Sequence, residues 1–352
     1  MNYTGDYITG TIHGTLNNEK IKVTTATENS YLLCALTVNF NSEVWTHTFE
    51  VPFFNGDAEL YFANYIHSLM TQKFNNLQFL TSQITTHSFD LANVSVVITE
   101  RKDGADIDEH TIEFYYMIGK FTPFLYSSIS GTNVIFLPVN TTKIFTRKAL
   151  FGFTFLAAEQ PDKVVVNGVE IAITSQPTIR LLHSIIVPID LVVGSTVEEF
   201  TFKIKFPSGA EIDAGSIYVL ENGVDHNLMF YQNEFGALST IEFTGEITFE
   251  DAFKSDDFSI SSNGNLLTVE SKIDLSNIFK VNTGYIFDES KHKMITTLLK
   301  SFNRFSYDNN QFTRVTLNGT HKLSPYQSGL PDYNEDLNFK ISENDNIYYG
   351  TI

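Results

Sequence analysis

The chain has one cysteine, one tryptophan, nine prolines and few basic residues. Each shortage excludes something. A lone Cys34 cannot form an internal disulfide. It lies in the apolar run Tyr31–Leu36 and reads as a small buried hydrophobe, because a nucleophile would need a partnered histidine. Lysine and arginine total 23 against 41 aspartates and glutamates, a net charge of -18. Binding nucleic acid along a broad face requires neutralising phosphates, so that partner class is not expected. An anionic membrane surface is disfavoured for the same reason. The most apolar run, residues 149 to 158, is interrupted by Gly152 and Thr154. It is well short of the ~20 residues of a membrane helix. The opening Met1–Asp6 has neither a basic region nor an apolar core, so no signal peptide is read there and synthesis in the cytoplasm is expected.

Catalytic and metal signatures are missing too. The nine histidines are scattered without metal-ligand spacing. No nucleophile elbow, phosphate loop or dinucleotide fingerprint occurs. The acidic loop Asp103–Glu109 clusters carboxylates, but its spacing is not that of an EF-hand and Ile107 interrupts it. It reads as a solvated hairpin turn. The neighbours Asp256-Asp257 and Glu198-Glu199 would point to opposite faces of a strand, so neither pair is a dyad by itself. Asn2, Asn93, Asn140 and Asn318 open glycosylation-like triplets and read as chance matches. No cofactor and no metal is expected.

What is abundant is aromatic and turn-forming: 31 phenylalanines and 16 tyrosines. With threonine, isoleucine and valine, these suit the pleated surface of a sheet. The predicted class is mainly β, in sandwich- or barrel-like domains, with two short packed helices. A first unit, 1–145, alternates through Ile8–Thr15, Lys20–Thr25, Leu33–Phe40, Glu43–Val51, Asn93–Thr99 and Thr111–Met117. Its helix is predicted over about 57–72, capped by Asp57, with Leu60, Ala63, Ile66, Leu69 and Met70 at helical spacing. A small sandwich, 146–195, contains Lys148–Phe155 and the hairpin Val164–Ile171 around Asn167-Gly168. A third unit, 196–352, opens on the clean alternation of Phe200–Phe206. It carries a helix over about 288–302 with Met294, Ile295, Leu298, Leu299 and Phe302 on one stripe. In the doublets Phe53-Phe54, Tyr115-Tyr116 and Tyr348-Tyr349, one ring faces the core and the other faces out, available to a neighbouring subunit or a sugar.

Three islands carry a resemblance. They are Tyr231–Gly245, the stretch Phe49–Leu60 with its helix, and the block from Tyr285-Ile286-Phe287-Asp288-Glu289 through its helix to Phe312–Leu317. Together they cover about half of the chain. In the first, an aromatic residue precedes Asn233 and a turn with glycine, followed by an alternating aromatic strand. This pattern resembles tail proteins of phages and prophages of Bacteroidota-type hosts. Phe235 and a single Gly236 stand where that pattern has an aliphatic residue and paired glycines. The resemblance implies a virion component near the tail tip, baseplate or tail hub, assembled as a ring. Its partners would be copies of itself and neighbouring tail proteins, and it brings no catalytic residues. Asn233, Glu234, Phe235 and Gly236, with Tyr285, Phe287 and Phe302, are the candidate interface residues. Two alternatives stay open: a receptor- or glycan-binding virion module, and a hydrolase whose site forms only in the fold.

Overall fold

A computed structural model describes residues 1–70, 83–129, 135–136, 144–175, 182–193, 199–220, 227–262, 265–286, 288–308, 311–326 and 334–341. The fold is mainly β, with five sheets and three short helices among these residues: α1 (Ala63–Leu69), α2 (Ile189–Val192) and α3 (Glu289–Lys300).

The first unit is a sandwich. Its six-stranded sheet runs Phe124–Leu125, Thr11–Gly14, Ala105–Met117, Ala92–Lys102, Tyr31–Phe40, Glu43–Pro52. A three-stranded sheet, Asn2–Gly5, Ile21–Thr24 and Asp57–Leu60, covers it together with α1. Tyr31–Phe40 alternates buried and half-buried residues, placing Leu32, Cys34, Leu36 and Val38 in the core. Cys34 is fully buried, and burial pushes its thiol up to about 12.

The helix predicted from Asp57 begins later. Asn55 and Gly56 both take positive φ, 52° and 81°, so Phe54–Asp57 is the tight turn of a hairpin. Asp57–Leu60 then pairs with Ile21–Thr24 and buries Ala58 and Leu60 at every second position. Asp57 therefore caps nothing. The residue ahead of α1 is Phe62, which makes no side-chain capping bond.

The second unit is also a sandwich. One sheet runs Ile135–Phe136, Leu150–Leu156, Leu182–Pro188, Thr85–Phe89, Thr174–Ser175. The other runs Ile144–Thr146, Glu211–Leu220, Glu199–Lys205, Lys163–Val166, Val169–Ala172. Asn167 and Gly168 make the predicted two-residue turn, with φ of 46° and 84°. The boundary expected at 195 falls inside this unit. Glu199–Lys205 pairs with Lys163–Val166, and Phe200, Phe202, Ile204 and Phe206 pack on Phe151, Phe153 and Phe155. Thr85–Phe89, early in the chain, supplies another of its strands.

The third unit is a seven-stranded sheet: Leu238–Phe243, Asn227–Gln232, Arg304–Asp308, Gln311–Leu317, Asp336–Ile341, Asn265–Asn282, Ile247–Ser262. Helix α3 covers one face through Met294, Ile295 and Leu298. Asp288 caps it, its Oδ1 accepting from the Lys291 N–H at 2.6 Å.

A shared core joins the three units. Ile12 and Met117 come from the first, Leu150, Leu182 and Ile186 from the second, and Phe230, Phe235, Leu238 and Phe305 from the third. This explains why Leu182–Pro188 and Leu238–Phe243 are buried at every position. Both faces are covered, as a continuous apolar run requires. It also disposes of one outward aromatic. Tyr116 is in the first core, while Tyr115 stacks on Tyr126 at 4.2 Å within the same chain.

One element leaves the layers. The hairpin strands Ile247–Ser262 and Asn265–Asn282 stay paired along their whole length. Only Ile278–Asn282 also pairs with Asp336–Ile341. Among the described residues, Asp251–Ser262 and Asn265–Asn277 therefore pair only with each other, as a two-stranded arm about 40 Å long at ~3.3 Å per residue. Its register sets Phe253 opposite Leu275, Phe258 opposite Val269 and Ile260 opposite Leu267.

Candidate functional site

Three segments converge on a cleft of about 740 Å³ between the first and third units. The first is the loop from Asn233 to Ala237, which joins two strands of the seven-stranded sheet. Asn233 builds it. Its Oδ1 accepts from the N–H of Phe235 at 3.0 Å and of Ala237 at 3.1 Å. Its Nδ2 donates to Thr154 Oγ1 at 2.8 Å and Ser239 Oγ at 3.0 Å. All four capacities of a buried amide are thus used, and the side chain ties the third unit to the second. Phe235 is buried in the shared core. Gly236 has φ of 82° and lies against Ile118: a Cβ there would come within 2.9 Å of Ile118 Cδ1. Across the contact, a Cβ on Gly119 would come within 2.6 Å of the Glu234 carbonyl. Two glycines therefore let the loop and the first unit meet at backbone distance.

The second segment is the end of α3. Arg304 closes it, donating to the carbonyls of Leu298 and Leu299 at 2.7 and 2.8 Å. Ser301 Oγ donates to the Asn303 carbonyl at 2.8 Å, and Asn303 Nδ2 donates to Gln232 Oε1 at 2.7 Å. This short turn throws Phe302 outward, 80% exposed, off the stripe that the sequence assigned to it. Lys300 lies on the last helical turn, where a cation complements the free carbonyls.

The third segment is α1 with the Leu16 loop. Met70 and Ile118 are buried, and Leu16 is half exposed. Thr15 Oγ1 and His67 Nδ1 share a hydrogen bond of 2.8 Å, and burial lowers the imidazole pKa. The cleft's carboxylate is Glu234. Desolvation raises its pKa, outweighing the hydrogen bond from its own backbone N–H, and no ion pair to it forms among the described residues.

The candidate interface residues thus divide. Asn233, Glu234 and Phe302 come together at the cleft. Phe235 and Gly236 support it from beneath. Tyr285 is half exposed ahead of the start of α3, separated from Phe302 by the whole 12-residue helix, which is about 18 Å long at ~1.5 Å per residue. Phe287 lies outside the described residues. Sequence reasoning missed His67, Lys300 and Gly119. A histidine near the end of an amphipathic helix and a lone glycine after Ile118 carry no periodic signal.

Two buried polar clusters lie elsewhere. In the first unit, His13 Nδ1 meets Glu19 Oε2 at 2.7 Å, and the Tyr7 and Tyr116 hydroxyls bond each other. In the second, Ser88 Oγ meets His183 Nδ1 at 2.8 Å, while His183 Nε2 contacts the Ala157 carbonyl at 3.1 Å. Burial takes the His183 pKa down to about 4, which makes it a weak base. Both histidines are fully buried, so the arrangements hold strands together without facing solvent. Among the described residues, no group of three or more His, Cys, Asp or Glu side chains could hold a metal ion, and the acidic residues Asp106 and Asp108 lie on a strand, with Arg101 donating to Asp106.

No protein-family model matches the chain, and no curated protein matches it.

Proposed function

We propose that the chain is a structural subunit of a phage tail tip, baseplate or tail hub, working by assembly with copies of itself and with neighbouring tail proteins. The observation that carries this reading is the arm, Asp251–Ser262 with Asn265–Asn277. A two-stranded ribbon alone is marginally stable in water. Its register nevertheless sets apolar residues opposite one another, and its edge strand ends the seven-stranded sheet without a further partner strand among the described residues. Such an edge is a template for another chain. Closed rings are the usual outcome when copies make one repeated contact. The net charge of -18 keeps free subunits apart and argues against nucleic acid as the partner. In this reading the protein works in the virion and performs no chemical step.

The experiment is excision of residues 252–276, with Asp251 and Asn277, which face each other in register, joined by an Asn-Gly turn. The described core of the third unit, including Phe279 and Val281, stands outside the excised stretch. Full-length protein that forms a discrete oligomer, with an excised variant that remains folded and monomeric, supports the reading. Equal masses for the two variants count against it.

The first unit favours one further reading, a glycan-binding virion module. His47 lies against both Phe49 and Tyr65, at 5.8 and 5.6 Å between ring centroids, and Tyr61 and Phe54 are exposed. A glycan array separates this reading from a pure assembly role.

A further inference from the structure

We infer that the cleft between the first and third units receives a basic side chain, lysine or arginine, from a neighbouring protein chain. The inference rests on the assembly reading for the identity of the partner, and on the cleft alone for its chemistry. Three other carboxylates withdrawn from water are held by donors of the same chain. Glu100 accepts from Thr25 Oγ1 and Ser30 Oγ, at 2.6 and 2.8 Å. Glu242 accepts from the Thr146 N–H at 3.1 Å and from the Thr146 hydroxyl. Glu19 accepts from Asn17 Nδ2 at 2.8 Å and meets His13. Glu234 is half-buried in the cleft wall, and no side chain donates to its carboxylate among the described residues. A partly dehydrated carboxylate whose one donor is its own backbone N–H is costly. An incoming guanidinium or ammonium group removes that cost and forms a hydrogen bond between charged partners.

The surroundings suit the rest of such a side chain. Leu16 offers apolar surface for its methylene stem, backed by the buried Met70 and Ile118. Phe302 stands at the mouth, where its ring can face a cation. An 80% exposed phenylalanine beside the cleft also argues for a macromolecule over a free small cation, since a protein partner would cover the ring. The volume falls within the ~300–1,000 Å³ of ligand sites, enough for a long side chain and its flanking backbone. Two other ionisable groups line the cleft. Burial holds His67 toward its neutral form. Lys300 is exposed at the end of α3 and is offset by the helix terminus.

The test uses the full chain and two probes, N-acetylarginine amide and its uncharged isostere N-acetylcitrulline amide, titrated by saturation-transfer NMR at neutral pH and low salt. Saturable binding of the arginine probe is expected. Binding weaker by at least about tenfold is expected for the citrulline probe and for Glu234→Gln, as for loss of a hydrogen bond between charged groups. Lys300→Ala should bind at least as tightly as the wild type. Phe302→Ser, a change at an exposed position that does not threaten folding, should weaken binding about threefold. Absence of saturable binding, equal binding of the two probes, or unchanged binding in Glu234→Gln overturns the inference. Wild-type protein that assembles yet fails to bind the probe defeats this inference alone. Probe binding by a protein that never assembles defeats the assembly reading alone.

Discussion

Replacing Asn233 by alanine tests whether this residue organises the chain or serves a partner. Its carbonyl oxygen satisfies two amides, those of Phe235 and Ala237, in residues that are 6% and 0% exposed. Alanine leaves both N–H groups buried without that acceptor. At about 1–3 kcal/mol for each orphaned group, the expected loss is about 4 kcal/mol. Thr154 and Ser239 lose an amide donor but keep rotatable hydroxyls, and Thr154 Oγ1 still lies 3.3 Å from Ser184 Oγ. Ser239→Ala, which removes one of the four bonds of Asn233 and the hydrogen bond of Ser239 to Tyr231, should cost less, about 2 kcal/mol. Urea unfolding followed by circular dichroism, in dilute protein where assembly is suppressed, measures both. A loss below about 1 kcal/mol for Asn233→Ala would refute the structural account. If that small loss came with impaired assembly, Asn233 would be the interface residue that the sequence suggested.

Three further predictions follow from buried groups. Lys291 donates to the carbonyls of Thr283 and Tyr285, and burial lowers its pKa from 10.5 to about 8. The unfolded chain therefore holds the extra proton between these values, so stability should rise with pH from about 8 to 10.5. The rise attributable to Lys291 is about 3 kcal/mol, read as the difference between wild type and Lys291→Met in denaturation series across that range. Cys34, with its thiol pushed up to about 12, should fail to react with a disulfide reagent at pH 8 until the protein is unfolded. Gly236→Ala combines a positive φ with crowding of Ile118 and should cost about 2 kcal/mol, seen as a lower urea midpoint at unchanged slope.

The period-two patterns of Leu33–Phe40 and Phe200–Phe206, and the Asn167-Gly168 turn, were legible because each is a local rule acting alone. So was α3, with its apolar stripe. Residues 57–60 were misread because Ala58 and Leu60 fit a helical stripe as well as a strand, and Asn55-Gly56 decides between them only when read as a hairpin turn. The grouping of Glu199–Lys205 with the second sandwich was not legible at all. Which sheet an alternating strand joins depends on distant partners such as Lys163–Val166, and no local signal encodes it. The cleft is similar. Asn233, Glu234 and Phe302 were selected from sequence, but their meeting with His67 and Leu16 depends on how two units dock through Ile118, Gly119 and Gly236. The arm was hidden for the opposite reason. Its strands alternate like any hairpin, and only their length relative to the neighbouring strand Asp336–Ile341 makes them project.

The most direct measurement is the mass of the protein in solution by light scattering across a concentration range, made side by side on the full chain and on the variant lacking residues 252–276. The assembly account predicts a discrete oligomer for the full chain and a folded monomer for the variant. A monomer at every concentration for the full chain, or the same oligomer for both, would contradict it.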